Sequence, residues 1–233
     1  MNISSAQNKV GRKAARMVAD QMFGDGPSAR ALYQSELTLA RLPQSEATGL
    51  LIDSLIKGEP EAEKVYISTP ITGGNKLYDF LQAEHVHSRR ELDPSDMPAY
   101  DRQVITVNCK HAHRIAEKLR RQGVCAVEPS SIQFPGWSQT LYNQNWTRVV
   151  NEVPFSKVIV CDGWELSYGC LLEVRAALDK GIPVMDEDNR PIDKATALKR
   201  ISDSSNELIE KGFTLAHLSE ALTAPFASLP MEA

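Results

Sequence analysis

Residues 157–186 read KVIVCDGWELSYGCLLEVRAALDKGIPVMD, and this stretch decides the fold. Its opening run, KVIVCDG (157–163), is apolar without alternation, the pattern of a strand buried on both faces of a parallel sheet. Residues 167–181 predict a helix, which Gly181 and Pro183 stop. PVMD (183–186) predicts the next strand.

Working outward, the same alternation recurs. VYISTPI (65–71) is a β-rich run ending in a sharp turn at Thr72-Gly73-Gly74. A polar stretch including residues 85–98 reads as an excursion or lid, followed by a helix from about Arg102 to Arg121 and a strand, VCAVEP (124–129). A second excursion holds Phe134, Trp137 and Tyr142 and runs into a helix near Trp146–Val153. Strands separated by helices at this spacing predict an α/β fold, a flavodoxin/Rossmann-like parallel sheet flanked by helices, over residues 64–188. Residues 1–63 predict a helical N-terminal extension, broken at Gly24-Asp25-Gly26-Pro27 and at Leu42-Pro43. Its last helix starts at a Ser45 cap and stops at Gly58 and Pro60. Residues 189–233 predict a C-terminal helical arm, with Ile192, Leu198, Ile201, Leu208 and Ile209 recurring at helical spacing.

Composition narrows the partners. A formal net charge of −4 over 233 residues argues against broad, nonspecific binding to nucleic acid or to an acidic membrane. No apolar run is long enough to span a bilayer, and the first twenty residues lack the apolar core of a secretory signal. Four cysteines (109, 125, 161 and 170) stand without a CxxC pair, so reduced thiols and a cytoplasmic location are expected. His85 and His87, like His111 and His113, have no carboxylate at ligand spacing, so no metal is expected. A dinucleotide fingerprint and a P-loop are both absent, and no cofactor is expected.

In parallel sheets ligands sit outside the carboxyl ends of the strands. Two segments fall there: Thr69 to Gly74, and Asp162 to Gly169. Both are rich in glycine and hydroxyl residues, which let backbone amides approach an anion. Ser167 heads a helix, where it either caps that helix or donates to a phosphate. Glu173 lies on the same helix among apolar neighbours Leu171, Leu172, Val174 and Leu178, with Gly169 one turn earlier leaving space above it. A carboxylate between apolar walls and open space suits a nucleophile or an acid–base group. The plain alternative is a solvent-facing glutamate paired with Arg175 or Lys180. Trp137, Tyr142, Trp146 and Trp164 either stack on a base or pack in the core.

Together, YISTPITG (66–73), NCKHAHRIAEKLRRQGVCAVEP (108–129) and GWELSYGCLLE (163–173) resemble the nucleoside 2-deoxyribosyltransferase superfamily. The last segment is the specific one and matches a branch with a GWE-S-GA-x-x-E signature, similar to 2′-deoxynucleoside 5′-monophosphate N-glycosidases. The resemblance covers residues 64–186 and neither terminal arm. It implies that Glu173 is a nucleophile attacking the anomeric carbon of a nucleoside or nucleotide, with Tyr66 positioning it. It also implies that Thr72, Gly73, Gly74, Gly163, Trp164, Ser167 and Gly169 bind substrate, and that a homo-oligomer completes the pocket. Transferases of free nucleosides place an aspartate six residues before the glutamate, whereas branches hydrolysing 5′-monophosphates place a serine, as Ser167 stands here. Where the family carries an aspartate before its third strand this chain has Ser156, so Asp162 and Glu165 become the candidates for the general acid.

Overall fold

A computed structural model describes residues 5–23, 27–58, 62–213 and 215. The expected breaks at Gly24-Asp25-Gly26 and Pro60, and the end of the C-terminal arm, lie outside the described residues. Four strands form one parallel sheet: β1 (Lys64–Ser68), β2 (Cys125–Val127), β3 (Lys157–Val160) and β4 (Val184–Met185), in the order β2-β1-β3-β4. The expected parallel α/β architecture is therefore present. Each strand is shorter than its apolar run because the last residues of each run leave the ladder to form the turns at the carboxyl edge.

The two sides of β1 are set by the period of two along a strand. Ile67 packs with Ala126 and Cys161 against Ala112 and Ala116 of α6 (Thr106–Arg120). Tyr66, on the opposite face, joins Val127, Val158 and Val160 in the main core. Helices α7 (Gln139–Glu152) and α8 (Tyr168–Asp179) contribute Trp146, Val149, Leu171 and Val174 to that core. The helix expected near Trp146 begins earlier, at Gln139, because Ser138 caps it by accepting from the Leu141 amide.

The stretch between β1 and α6 is more ordered than an excursion. Helix α4 (Gly74–Ala83) follows the glycine turn directly, and its Phe80 packs on Tyr100 of the short α5 (Met97–Tyr100). Residues Asp101–Ile105 form a turn of π-helix that runs into α6. Helices α1 (Ser5–Phe23), α2 (Ala29–Ala40) and α3 (Gln44–Gly58) pack on one another, with α1 also against the edge strand β2 and α3 against α7. Ala15, Val18, Met22, Leu51 and Leu55 are fully buried in the same core as Val127 and Val149. The extension thus shares the domain's core. Helix α9 (Lys194–Glu210) lies on the 3-10 turn Trp164–Leu166, tied by Arg200 over the Trp164 ring at 5.6 Å and by Arg200 to Glu165 at 3.6 Å. Among the described residues no helix is long and apolar enough to cross a membrane.

Candidate functional site

Strand β1 lies between β2 and β3; the connection after β1 runs to β2 and the one after β3 to β4, in opposite directions, so a crevice opens at the carboxyl ends of β1 and β3. Two expected site residues, Glu173 and Tyr66, converge beside it, together with Ser68. Glu173 points inward from α8, is 8% exposed, and accepts a 2.6 Å hydrogen bond from the Ser68 hydroxyl at the end of β1. Tyr66, two residues back on the same strand face, brings its hydroxyl close to that carboxyl. The phenol falls short of a formed hydrogen bond: its oxygen is buried and without a partner among the described residues. Glu173 has no ion pair among the described residues, and Lys180 reaches the Asn151 carbonyl instead. A solvent-facing glutamate is thus excluded.

Burial is the main influence on this carboxyl. It pushes the Glu173 pKa up from 4.5 to about 7, while the Ser68 and Tyr66 hydroxyls pull the other way by favouring the carboxylate. Burial, and then the neighbouring Glu173 charge, push the Tyr66 phenol well above its ordinary value, so it stays protonated and able to donate. The Cys170 thiol, buried beside Glu173, is raised for the same two reasons.

The two glycine-rich segments meet each other. A β-carbon on Gly73 would stand 3.6 Å from both Cα and Cβ of Ser167. One on Gly163 would lie 2.6 Å from the Asn75 amide nitrogen, and one on Gly74 3.1 Å from the Gly163 carbonyl oxygen. Both Gly74 (φ 70°) and Gly163 (φ 76°) are left-handed, a conformation glycine adopts without strain. These glycines therefore let one turn dock on the other. The first turn is further held through its carbonyls: Asn108 donates to Pro70 at 2.6 Å and to Gly73 at 3.2 Å, and Tyr100 donates to Thr72 at 2.9 Å.

Ser167 stands at the N-cap position of α8 without making a side-chain capping bond, so its hydroxyl is not committed to that role. Asp162 is exposed, its carboxylate accepts a 3.2 Å bond from the Asn75 side-chain Nδ2, and its backbone N–H donates to Glu187 at 2.8 Å. Three expectations need correction. Trp164 is fully buried under α9, so no base can stack on it in this conformation, and Trp146 at 5% exposed is likewise core. The space beside Gly169 is not open, because Asn143 Oδ1 lies 3.1 Å from where its β-carbon would be. Glu165 faces α9, meeting Arg200 and Ser204, which leaves Asp162 as the candidate acid. Ser156 sits at the opposite, amino end of β3, bonded to Glu63 and to the Lys64 carbonyl. Whichever residue stands there lies one strand length from the crevice.

Ser68, Asn75, Asn108 and Asn143 are the site residues that sequence reasoning missed. Only Ser68 had a usable signal, its place two residues after Tyr66 on a strand. Two surface cavities lie away from Glu173. One, about 250 Å³, is lined by His113, Arg120, Arg121 and Glu128; the other, about 260 Å³, lies between α8 and α9. Glu173 lines neither of them and is buried in this conformation. No family model, curated protein or solved structure matches the chain.

Proposed function

We propose that this chain cleaves or transfers the N-glycosidic bond of a nucleoside 5′-monophosphate, or of the free nucleoside, through a glycosyl ester on Glu173. The observation that carries the reading is the buried Glu173 carboxyl, held by Ser68 beside Tyr66 and poised to ionise near neutral pH. In this reaction the carboxylate attacks the anomeric carbon, and the C–N bonding pair leaves with the base. The base takes a proton from an acid, for which Asp162 is the candidate at the same edge. Water or a second base then opens the ester and restores the carboxylate. The hydroxyls of Ser68 and Tyr66 orient the nucleophile. Ser167, the first-turn amides of α8 and the Thr72-Gly73-Gly74 turn receive the 5′ group. The chemistry draws on no cofactor.

Incubating the pure protein with a panel of nucleosides and their monophosphates tests this directly. Free base should accumulate with at least one substrate in the wild type and not in Glu173→Gln; a panel with no release in either protein counts against the activity. A second reading is a non-catalytic nucleotide-binding module, whose helical arms contact a protein partner. It is favoured by Glu165 and Asp162 both being engaged with other groups. Binding of a monophosphate without turnover would select it. A cytoplasmic homo-oligomer, with a neighbouring subunit completing the pocket, belongs to the same proposal. Exposed Tyr33 on α2 and Ile209 on α9 are apolar surface for such a contact, and sedimentation as a sharp monomer would remove it.

A further inference from the structure

We propose that His111, Cys161 and Glu187 form a binding site for a borderline divalent metal ion, zinc foremost. The three come from different elements: His111 from α6, Cys161 from the residue after β3, and Glu187 from the turn after β4. One ligand atom from each lies within 4.8 Å of the other two, and His111 Nε2 stands 2.6 Å from Glu187 Oε1. Tetrahedral zinc, with bonds of about 2.0–2.3 Å, holds its ligand atoms roughly 3.3–3.8 Å apart. Small side-chain rotations reach that geometry, drawing the sulfur in and parting the imidazole from the carboxylate. An imidazole, a thiolate and one carboxylate suit zinc, whereas magnesium and calcium take oxygen ligands.

The surroundings favour a cation. The carboxylates of Glu187, Glu128 and Asp162 stand near enough to the Cys161 sulfur to act on it. The same negative surroundings attract a divalent ion. The Thr69 hydroxyl lies against the Cys161 sulfur, buried and with no hydrogen bond formed among the described residues, and is placed to donate to a thiolate.

Protons balance as follows. The Cys161 thiol gives its proton to solvent and the sulfur takes the ion. In the free protein His111 Nδ1 faces the Arg114 guanidinium at 3.3 Å, so Nε2 carries the proton and donates to Glu187. On binding, the Nε2 lone pair turns to the metal, the ring proton passes to Nδ1, and exposed Arg114 moves off. A water fills the fourth position. The ion then joins α6 to the ends of β3 and β4 on the sheet face away from Glu173.

Metal-stripped, full-length protein titrated with zinc against a chromophoric chelator, and separately with cobalt(II), tests the site. One zinc per chain is expected, with tetrahedral cobalt bands and a thiolate-to-cobalt charge-transfer band. Cys161→Ser should abolish the charge-transfer band. Glu187→Gln and His111→Gln should each weaken zinc binding about tenfold or more. Both positions are partly exposed, so these two variants keep the test valid if Cys161→Ser fails to fold. Absence of the charge-transfer band in the wild type, or its survival in Cys161→Ser, overturns the proposal. So does unchanged zinc affinity in the other two variants.

Discussion

Glu173 titrates near neutrality because the sheet and α8 strip its water, and that makes its role measurable through pH. As the proposed nucleophile it must be ionised, so base release should rise with pH through a limb near 7, the value to which burial lifts it. Ser68 bonds the carboxylate form, and a charge-assisted bond is worth about 1.5–3 kcal/mol. Ser68→Ala should therefore move the limb upward by roughly 1–2 pH units; an unmoved limb would assign the titration to another group. Stability carries the same signature with a definite sign. A carboxyl whose folded pKa is raised contributes fully below its ordinary value of 4.5, and that contribution is lost as pH rises through about 7. Relative to Glu173→Gln, the wild type should lose stability on the order of 3 kcal/mol between pH 4.5 and 8. Denaturant titrations at both pH values check this. A constant difference would mean that Glu173 is not buried in solution. Glu173→Gln should also lower base release by at least about a thousandfold, the scale of a lost nucleophile.

At the scale of elements, two interlocked turns form the carboxyl edge of the crevice. Gly163 carries φ 76° and would place a β-carbon 2.6 Å from the Asn75 amide nitrogen, a backbone atom that cannot step aside. Gly163→Ala should therefore cost about 1–3 kcal/mol and weaken ligand binding together with stability. Wild-type unfolding and affinity would mean the turns separate freely. The start of α8 makes a second prediction. Ser167 stands at a helix N-terminus without capping it, where the dipole and free amides favour an anion. Two charge-assisted bonds to a 5′-phosphate are worth about two to four decades of affinity. A nucleoside monophosphate should bind at least a hundredfold more tightly than its nucleoside, and Ser167→Asp should reverse much of that preference by placing like charges together. Equal affinities by calorimetry would make Ser167 a helix start and nothing more.

For the whole molecule, the N-terminal helices behave as part of the fold. Leu51 and Leu55 of α3 and Val18 and Met22 of α1 are fully buried, and Arg120 of α6 donates to the Met22 carbonyl. Removing residues 1–58 would expose the face of the core formed by Val127 and Val149. The shortened chain should lose its cooperative unfolding transition, and Leu51→Ala in the full chain should cost about 2–5 kcal/mol. A soluble, cooperatively unfolding fragment beginning at residue 59 would show that the α/β unit is self-sufficient.

The strands of this fold were legible in the sequence because continuous apolar runs have few uses other than a buried parallel strand. Glu173 was legible as a charge between apolar neighbours on a helix stopped by Gly181 and Pro183, though that pattern left a solvent-facing carboxylate open. Both are local signals carried by adjacent residues. Helix α4 escaped because its polar positions resemble a loop until Phe80 finds Tyr100. The roles of Gly74 and Gly163 were legible only as conformational freedom; that the freedom serves contact between the turns depends on how β1 and β3 sit side by side. Trp164 read as a stacking surface or as core, and α9 settled it by covering the ring. Asn108, and the meeting of His111 with Cys161 and Glu187, join residues tens of positions apart. Spacing along a chain records periodicity within one element, whereas side chains from different elements meet only where packing sets those elements against one another.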